Sequence, residues 1–141
     1  MLEVALREIE AGAESLRKLA DNAKMSPTLF IRFANAWRDV KEQLDVLGQV
    51  QAASLGAHTQ FSEVRLADGS TTTVEQFIDG GHKREHLQAM QQARDSKVAL
   101  PRCKPISWEM IEAARSAKDS PLEITAFDVA SLAWLIDLPE E

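Results

Sequence analysis

Cysteine occurs once, at Cys103, so no disulfide can form within the chain, and no cationic, apolar leader opens it. Both absences predict a reducing cytosolic setting. Long hydrophobic runs are missing as well. The most apolar stretch, Ile124 to Leu138, contains Asp128 and Asp137 and falls short of the roughly 20 apolar residues that a bilayer crossing needs, which predicts a core helix and no membrane partner. Nor is there an excess of basic charge: 22 acidic residues against 16 basic ones give a net charge of -6. Phosphate backbones are bound by basic surfaces, so direct nucleic-acid binding is not expected.

Catalytic signatures are equally scarce. No serine sits in a G-x-S-x-G turn, and Gly80-Gly81 lacks the lysine and hydroxyl of a phosphate-binding loop, so no cofactor is expected. Cys103 has no histidine or aspartate near it in sequence. Arg102 and Lys104 would lower its pKa if the thiol were exposed, but a buried thiol is the ordinary reading. No internal repeat, low-complexity tract or long linker divides the 141 residues, which predicts a single domain over 1–141.

What the chain does have is helical patterning. Leu2, Leu6, Ile9, Ala13, Leu16 and Ala20 recur at intervals of three and four, and so do Phe30, Phe33, Trp37, Val40, Leu44 and Leu47. Such stripes predict two helices, Leu2–Ala23 and Pro27–Leu55, that bury their apolar sides against each other. Ser26 is placed to cap the second helix with Pro27 in its first turn, so the reversal from Asn22 to Ser26 is short and the pair antiparallel. Gly48 weakens the second helix, its polar register beyond Leu47 predicts fraying or bending, and Gly56 offers a stop. Phe30, Phe33 and Trp37 are core candidates by pattern. They are also the residues proposed for interaction, because an aromatic side chain in a partner's pocket can supply much of an interface's energy.

From Phe61 to Val74 the period changes to two. Val64 and Leu66 share a side, Asp68-Gly69 reads as a two-residue turn, and Thr71-Thr72-Thr73-Val74 is strand-forming, which together predict a β-hairpin. A third helix is expected over His82–Arg94, a short strand at Val98-Ala99-Leu100, and a short helix capped by Ser107 that carries Trp108 and Ile111. The last helix starts after Thr125, whose spacing to Asp128 fits a capping box, and is expected to bury Phe127, Ala130 and Trp134. The predicted fold class is mainly α (α+β): a long antiparallel helical hairpin over 1–57, a small β-hairpin segment over 58–80 and a C-terminal helical or mixed part over 81–141.

His82-Lys83-Arg84-Glu85-His86 resembles H-x-x-E-H, the pattern of the inverted zincin metallopeptidases, in which two histidines one turn apart bind zinc and the glutamate activates water. The resemblance covers five residues and implies a zinc-dependent hydrolase with His82 and His86 as ligands. No second motif supplies a downstream glutamate ligand, and Lys83 and Arg84 would sit close to a dication. The reading adopted is a solvated helix start with two exposed histidines and no metal. His58, in a polar stretch, reads as a surface residue.

The order of elements resembles short proteins encoded by tailed bacteriophages and prophages. The residues that carry this likeness are the phrase Val98-Ala99-Leu100-Pro101-Arg102-Cys103-Lys104-Pro105-Ile106 and the apolar ending from Ile124 to Ile136. It implies a phage or prophage origin and a binding or assembly role, in the host cytoplasm or the virion, and carries over no site residue. The function expected is non-enzymatic: a structural, assembly or accessory factor that binds protein partners, its own copies among them. The alternatives are an acidic inhibitor of a bacterial defence or replication protein, and the zinc hydrolase.

Overall fold

The computed structural model describes residues 2–22, 25–118 and 121–138. They fall into two compact units, Met1–Asp45 with Ser96–Glu141, and Val46–Asp95. The division lies inside the second long helix and not near residues 57 and 80, where the sequence pattern changes. Helix predominates, accompanied by three two-stranded sheets among the described residues. No helix among these residues is long and apolar enough to cross a membrane.

In the first unit, β1 (Leu2–Ala5) takes the place of the expected first helical turn, and α1 runs over Leu6–Ala20. Leu2 fits the helical stripe through Leu6, but Leu2 and Val4 also share one face of a strand, and the strand wins because β4 (Lys97–Leu100) needs a partner for its backbone groups. The two pair antiparallel, with Val4 opposite Val98, and Leu6 N–H extends the ladder to the Ser96 carbonyl at 3.0 Å. Helix α1 accordingly starts without a side-chain cap. Its expected end at Ala23 lies outside the described residues, as does part of the Asn22–Ser26 reversal.

The buried face of α1 is Leu6, Ile9, Gly12, Ser15, Leu16 and Leu19, rotated slightly from the predicted stripe because α1 packs chiefly on α5 (Ala126–Ser131). Helix α2 (Pro27–His58) begins as expected, with Leu29 N–H donating to Ser26 Oγ at 3.4 Å. Its buried positions in this unit are Leu29, Phe33, Ala36, Asp39 and Val40. Strand β5 (Ile106–Ser107) leads into α4 (Trp108–Arg115), capped by Ser107. It pairs parallel with β6 (Ile136–Asp137), closing the core over Ile106, Ile111, Leu132, Leu135 and Ile136.

The last helix departs from expectation. It is short, Phe127 is 72% exposed and Ala130 is exposed, while Asp128 is buried. The capping box at Thr125 and Asp128 is present, and satisfying that carboxylate turns the polar side of α5 inward and Phe127 outward.

The second unit holds the C-terminal half of α2, the hairpin β2 (Thr59–Arg65) and β3 (Thr71–Phe77), and α3 (His82–Asp95). Helix α2 neither ends at Gly56 nor breaks after Leu47. It stays helical to His58, where Ile78 N–H donates to the His58 carbonyl at 2.9 Å and the chain turns into β2. The hairpin loop is one residue longer than predicted. Gly69 N–H donates to the Leu66 carbonyl at 3.0 Å and Leu66 N–H to the Ser70 carbonyl at 2.7 Å, leaving Ala67, Asp68 and Gly69 as a three-residue loop. Gly69 has φ +88, the left-handed position of a type I turn with a glycine bulge. Asp68 stabilises this form by accepting from the Ser70 N–H and hydroxyl, at 2.9 and 2.6 Å.

Candidate functional site

The second unit gathers the histidines. Gly80 and Gly81, at φ +102 and +93, take the chain from β3 into α3 through conformations that side chains disfavour. His82 is thereby the first residue of α3 and His58 the last of α2. On α2, Ser54 and His58 are one turn apart; on α3, His82 and His86 are one turn apart. The two pairs meet as antiparallel rungs, with Ser54 Oγ 2.8 Å from His86 Nδ1 and His58 Nδ1 3.0 Å from His82 Nδ1. The Phe77 ring packs against His86 at 5.6 Å between centroids.

Neither histidine of the H-x-x-E-H segment is an exposed residue at a solvated helix start. His86 is buried and His82 half-buried, because His82, His86, Met90 and Ala93 form the inward stripe of α3. The expectation of a surface His58 is also corrected: its side chain is 19% exposed. The motif is split by the fold. His86 is engaged with Ser54, whereas His58, distant in sequence, joins His82 and Glu85. Glu85 Oε2 lies 3.5 Å from His58 Nδ1, and one ligand atom from each of the three residues falls within 4.8 Å of the others. The sequence carried a signal for this in the i, i+4 pairs at 54/58 and 82/86, which the β2–β3 hairpin between the two helices brings face to face.

In the first unit the buried polar groups are structural. Asp128 accepts from Ser15 Oγ at 2.7 Å, Lys18 Nζ at 2.6 Å and its own cap N–H, that of Thr125, at 3.0 Å. Burial alone would raise its pKa, but the bonds from Lys18, Thr125 and Ser15 outweigh that and hold it at about 2. Asp39, also buried, accepts from the Arg102 backbone N–H at 2.8 Å and from Arg102 Nη1 at 2.9 Å, and Glu42 shares the same guanidinium at 3.1 Å. Arg102 is therefore committed to carboxylates and does not activate its neighbour. Cys103 is buried, and burial reinforced by the Asp39 charge pushes its thiol up to about 12, the opposite of the shift that exposure beside Arg102 and Lys104 would give.

Of the aromatic residues proposed for interaction, Phe33 is fully buried in the core of this unit, while Phe30 and Trp37 are half-buried. An open apolar groove lies elsewhere in the unit, lined by Trp108, Ile124, Val129 and Leu138, with the Arg115 guanidinium 6.0 Å from the Trp108 ring centre.

The exposed apolar surface of the second unit escaped sequence reasoning. Val46, Val50, Ala53 and Ala57 follow intervals of four, three and four on α2, and all are exposed, Val46 by 48% and Val50 by 39%. They lie on a different side of the helix from Leu47, whose membership of the earlier stripe drew attention inward. Comparison with known proteins gives no match to this chain among family models, curated proteins or solved structures.

Proposed function

We propose that the protein is a non-enzymatic protein–protein interaction protein that works as a homo-oligomer, joined through the exposed face of α2 in its second unit. The observation that carries this reading is the thin core of residues 46–95. Leu47, His86 and Met90 are its buried side chains, while Val46, Val50, Phe61, Leu66 and Leu87 stand exposed. Fifty-residue units are marginal even when well packed, so a partner that covers this surface completes the unit.

A second copy fits better than a different protein. In a twofold interface each residue meets its own counterpart region, so like charges would oppose one another. From Val46 to Ser62 the chain carries no Asp, Glu, Lys or Arg, although the molecule as a whole has a net charge of -6. Val46, Val50, Ala53 and Ala57 also have the d-a-d-a spacing of a helix–helix seam. The first unit, in the same reading, holds α1 and the first half of α2 as an antiparallel helical pair, supported by the short stretch of sequence between Ala20 and Pro27. A structural, assembly or accessory role in a phage, the setting implied by the pattern resemblance, is one that an oligomeric protein of this kind would serve.

Val50→Glu places a carboxylate on the seam without altering the core. Sedimentation equilibrium is expected to show the substituted protein as a monomer at concentrations where the wild type associates. An unchanged association constant would overturn the assignment of this face.

A further inference from the structure

The convergence of His58, His82 and Glu85 has a chemistry that a self-associating helix does not need. Three potential ligand atoms from the end of α2 and the start of α3 lie within 4.8 Å of one another. Around a tetrahedral zinc with bonds of about 2.0–2.1 Å, neighbouring ligand atoms are separated by roughly 3.3 Å. Here the His58–His82 Nδ1 separation is 3.0 Å and the His58 Nδ1–Glu85 Oε2 separation is 3.5 Å, one on each side of that value. We propose that His58, His82 and Glu85 bind a divalent transition metal of the zinc class.

The donor set suits such an ion. Imidazole nitrogens and a carboxylate oxygen favour zinc and its neighbours over magnesium and calcium, which prefer all-oxygen sites. Two imidazoles and one carboxylate leave a fourth tetrahedral position for water. Positive charge nearby is no obstacle. Lys83 and Arg84 are one and two residues beyond His82 and are exposed, so they occupy other sides of α3, while the ligands His82 and Glu85 are three apart and share one.

The positions are also held before a metal arrives. His58 is fixed by the Ile78 N–H bond to its carbonyl, and α3 is anchored by the Ser54–His86 contact one turn further on and by Glu85 N–H donating to the Gly81 carbonyl at 3.0 Å. Binding would tie the root of the hairpin to α3 in a unit with few buried side chains, so metal affinity appears as added stability of that unit.

The test is a zinc titration of the full chain followed by NMR of its three histidine rings, paired with calorimetry on Glu85→Gln, an exposed and conservative change. The expected result is saturation at one zinc per chain, with the His58 and His82 ring signals shifting together and the His86 signal staying in place. Glu85→Gln should weaken binding at least tenfold, since even partners one step removed from a metal are worth 10- to 100-fold in affinity. Concerted shifts of His82 and His86 with His58 unmoved would replace this site by the sequence-adjacent pair. No ring shift at one equivalent of zinc would overturn the proposal and leave His58 and His82 as a hydrogen-bonded pair.

Discussion

Single residues decide how closely the elements of the first unit approach. Gly12 is buried in the middle of α1, and a Cβ built there would sit 2.5 Å from the Ser131 carbonyl oxygen and 3.0 Å from Leu132 Cδ2. Alanine normally stabilises a helix interior by about 1 kcal/mol over glycine. Here the backbone of α5 cannot yield as a flexible side chain would, so Gly12→Ala is expected to destabilise by about 1–2 kcal/mol net. Gly48, with nothing within 4 Å of the same atom, should show the opposite sign, a gain of up to about 1 kcal/mol, both read from urea midpoints. Asp128 predicts a pH dependence. Its folded pKa of about 2 lies below that of an unfolded aspartate, so its contribution is complete above about pH 5 and is lost as the pH falls towards 2. The size is on the order of 2 kcal/mol. Asp128→Asn should lower stability at neutral pH and flatten the acid limb of the stability curve; an acid limb as steep as the wild type's would place that dependence elsewhere. For Cys103, burial and a thiol pKa near 12 predict alkylation at neutral pH far slower than that of a free thiol, accelerating on unfolding.

At the scale of elements, capping chemistry was legible and partnership was not. Ser26, Ser107 and the Thr125–Asp128 box act where local sequence places them, because a cap needs only the next three residues. Thr125→Ala should therefore cost about 1 kcal/mol, measured by thermal unfolding, unless α5 is held by Asp128 alone. Strand β1 was hidden because Leu2 fits both a helical stripe with Leu6 and a strand face with Val4, and only the presence of β4, over ninety positions away, selects between them. The buried face of α5 departs from the apolar pattern for a related reason. Phe127 and Ala130 look like a buried stripe until Ser15 and Lys18 claim Asp128 from a helix distant in sequence. Long-range polar partners of this kind leave no periodic trace. The histidine cluster stands between these cases: its i, i+4 spacings are local, whereas the pairing of His58 with His82 needs the intervening hairpin to fold.

At the scale of the whole molecule, the two units contrast in how they are stabilised. The first encloses a continuous set of aliphatic side chains around Phe33, Leu100, Ile106 and Leu132, with its buried carboxylates each satisfied by a cation. The second has polar rungs, a two-stranded hairpin without a fully buried residue, and an uncharged helical face open to solvent. Two-stranded hairpins are marginal alone in water, so the energetic deficit falls on one unit. Association through α2 should consequently raise the stability of the second unit with protein concentration and leave that of the first unchanged, a difference that residue-resolved hydrogen exchange can read. Self-association through α2 is tested most directly by the mass of the wild-type protein in light scattering across a wide concentration range. The mass should rise towards that of two chains as concentration increases, and a single-chain mass throughout would rule out the α2 interface.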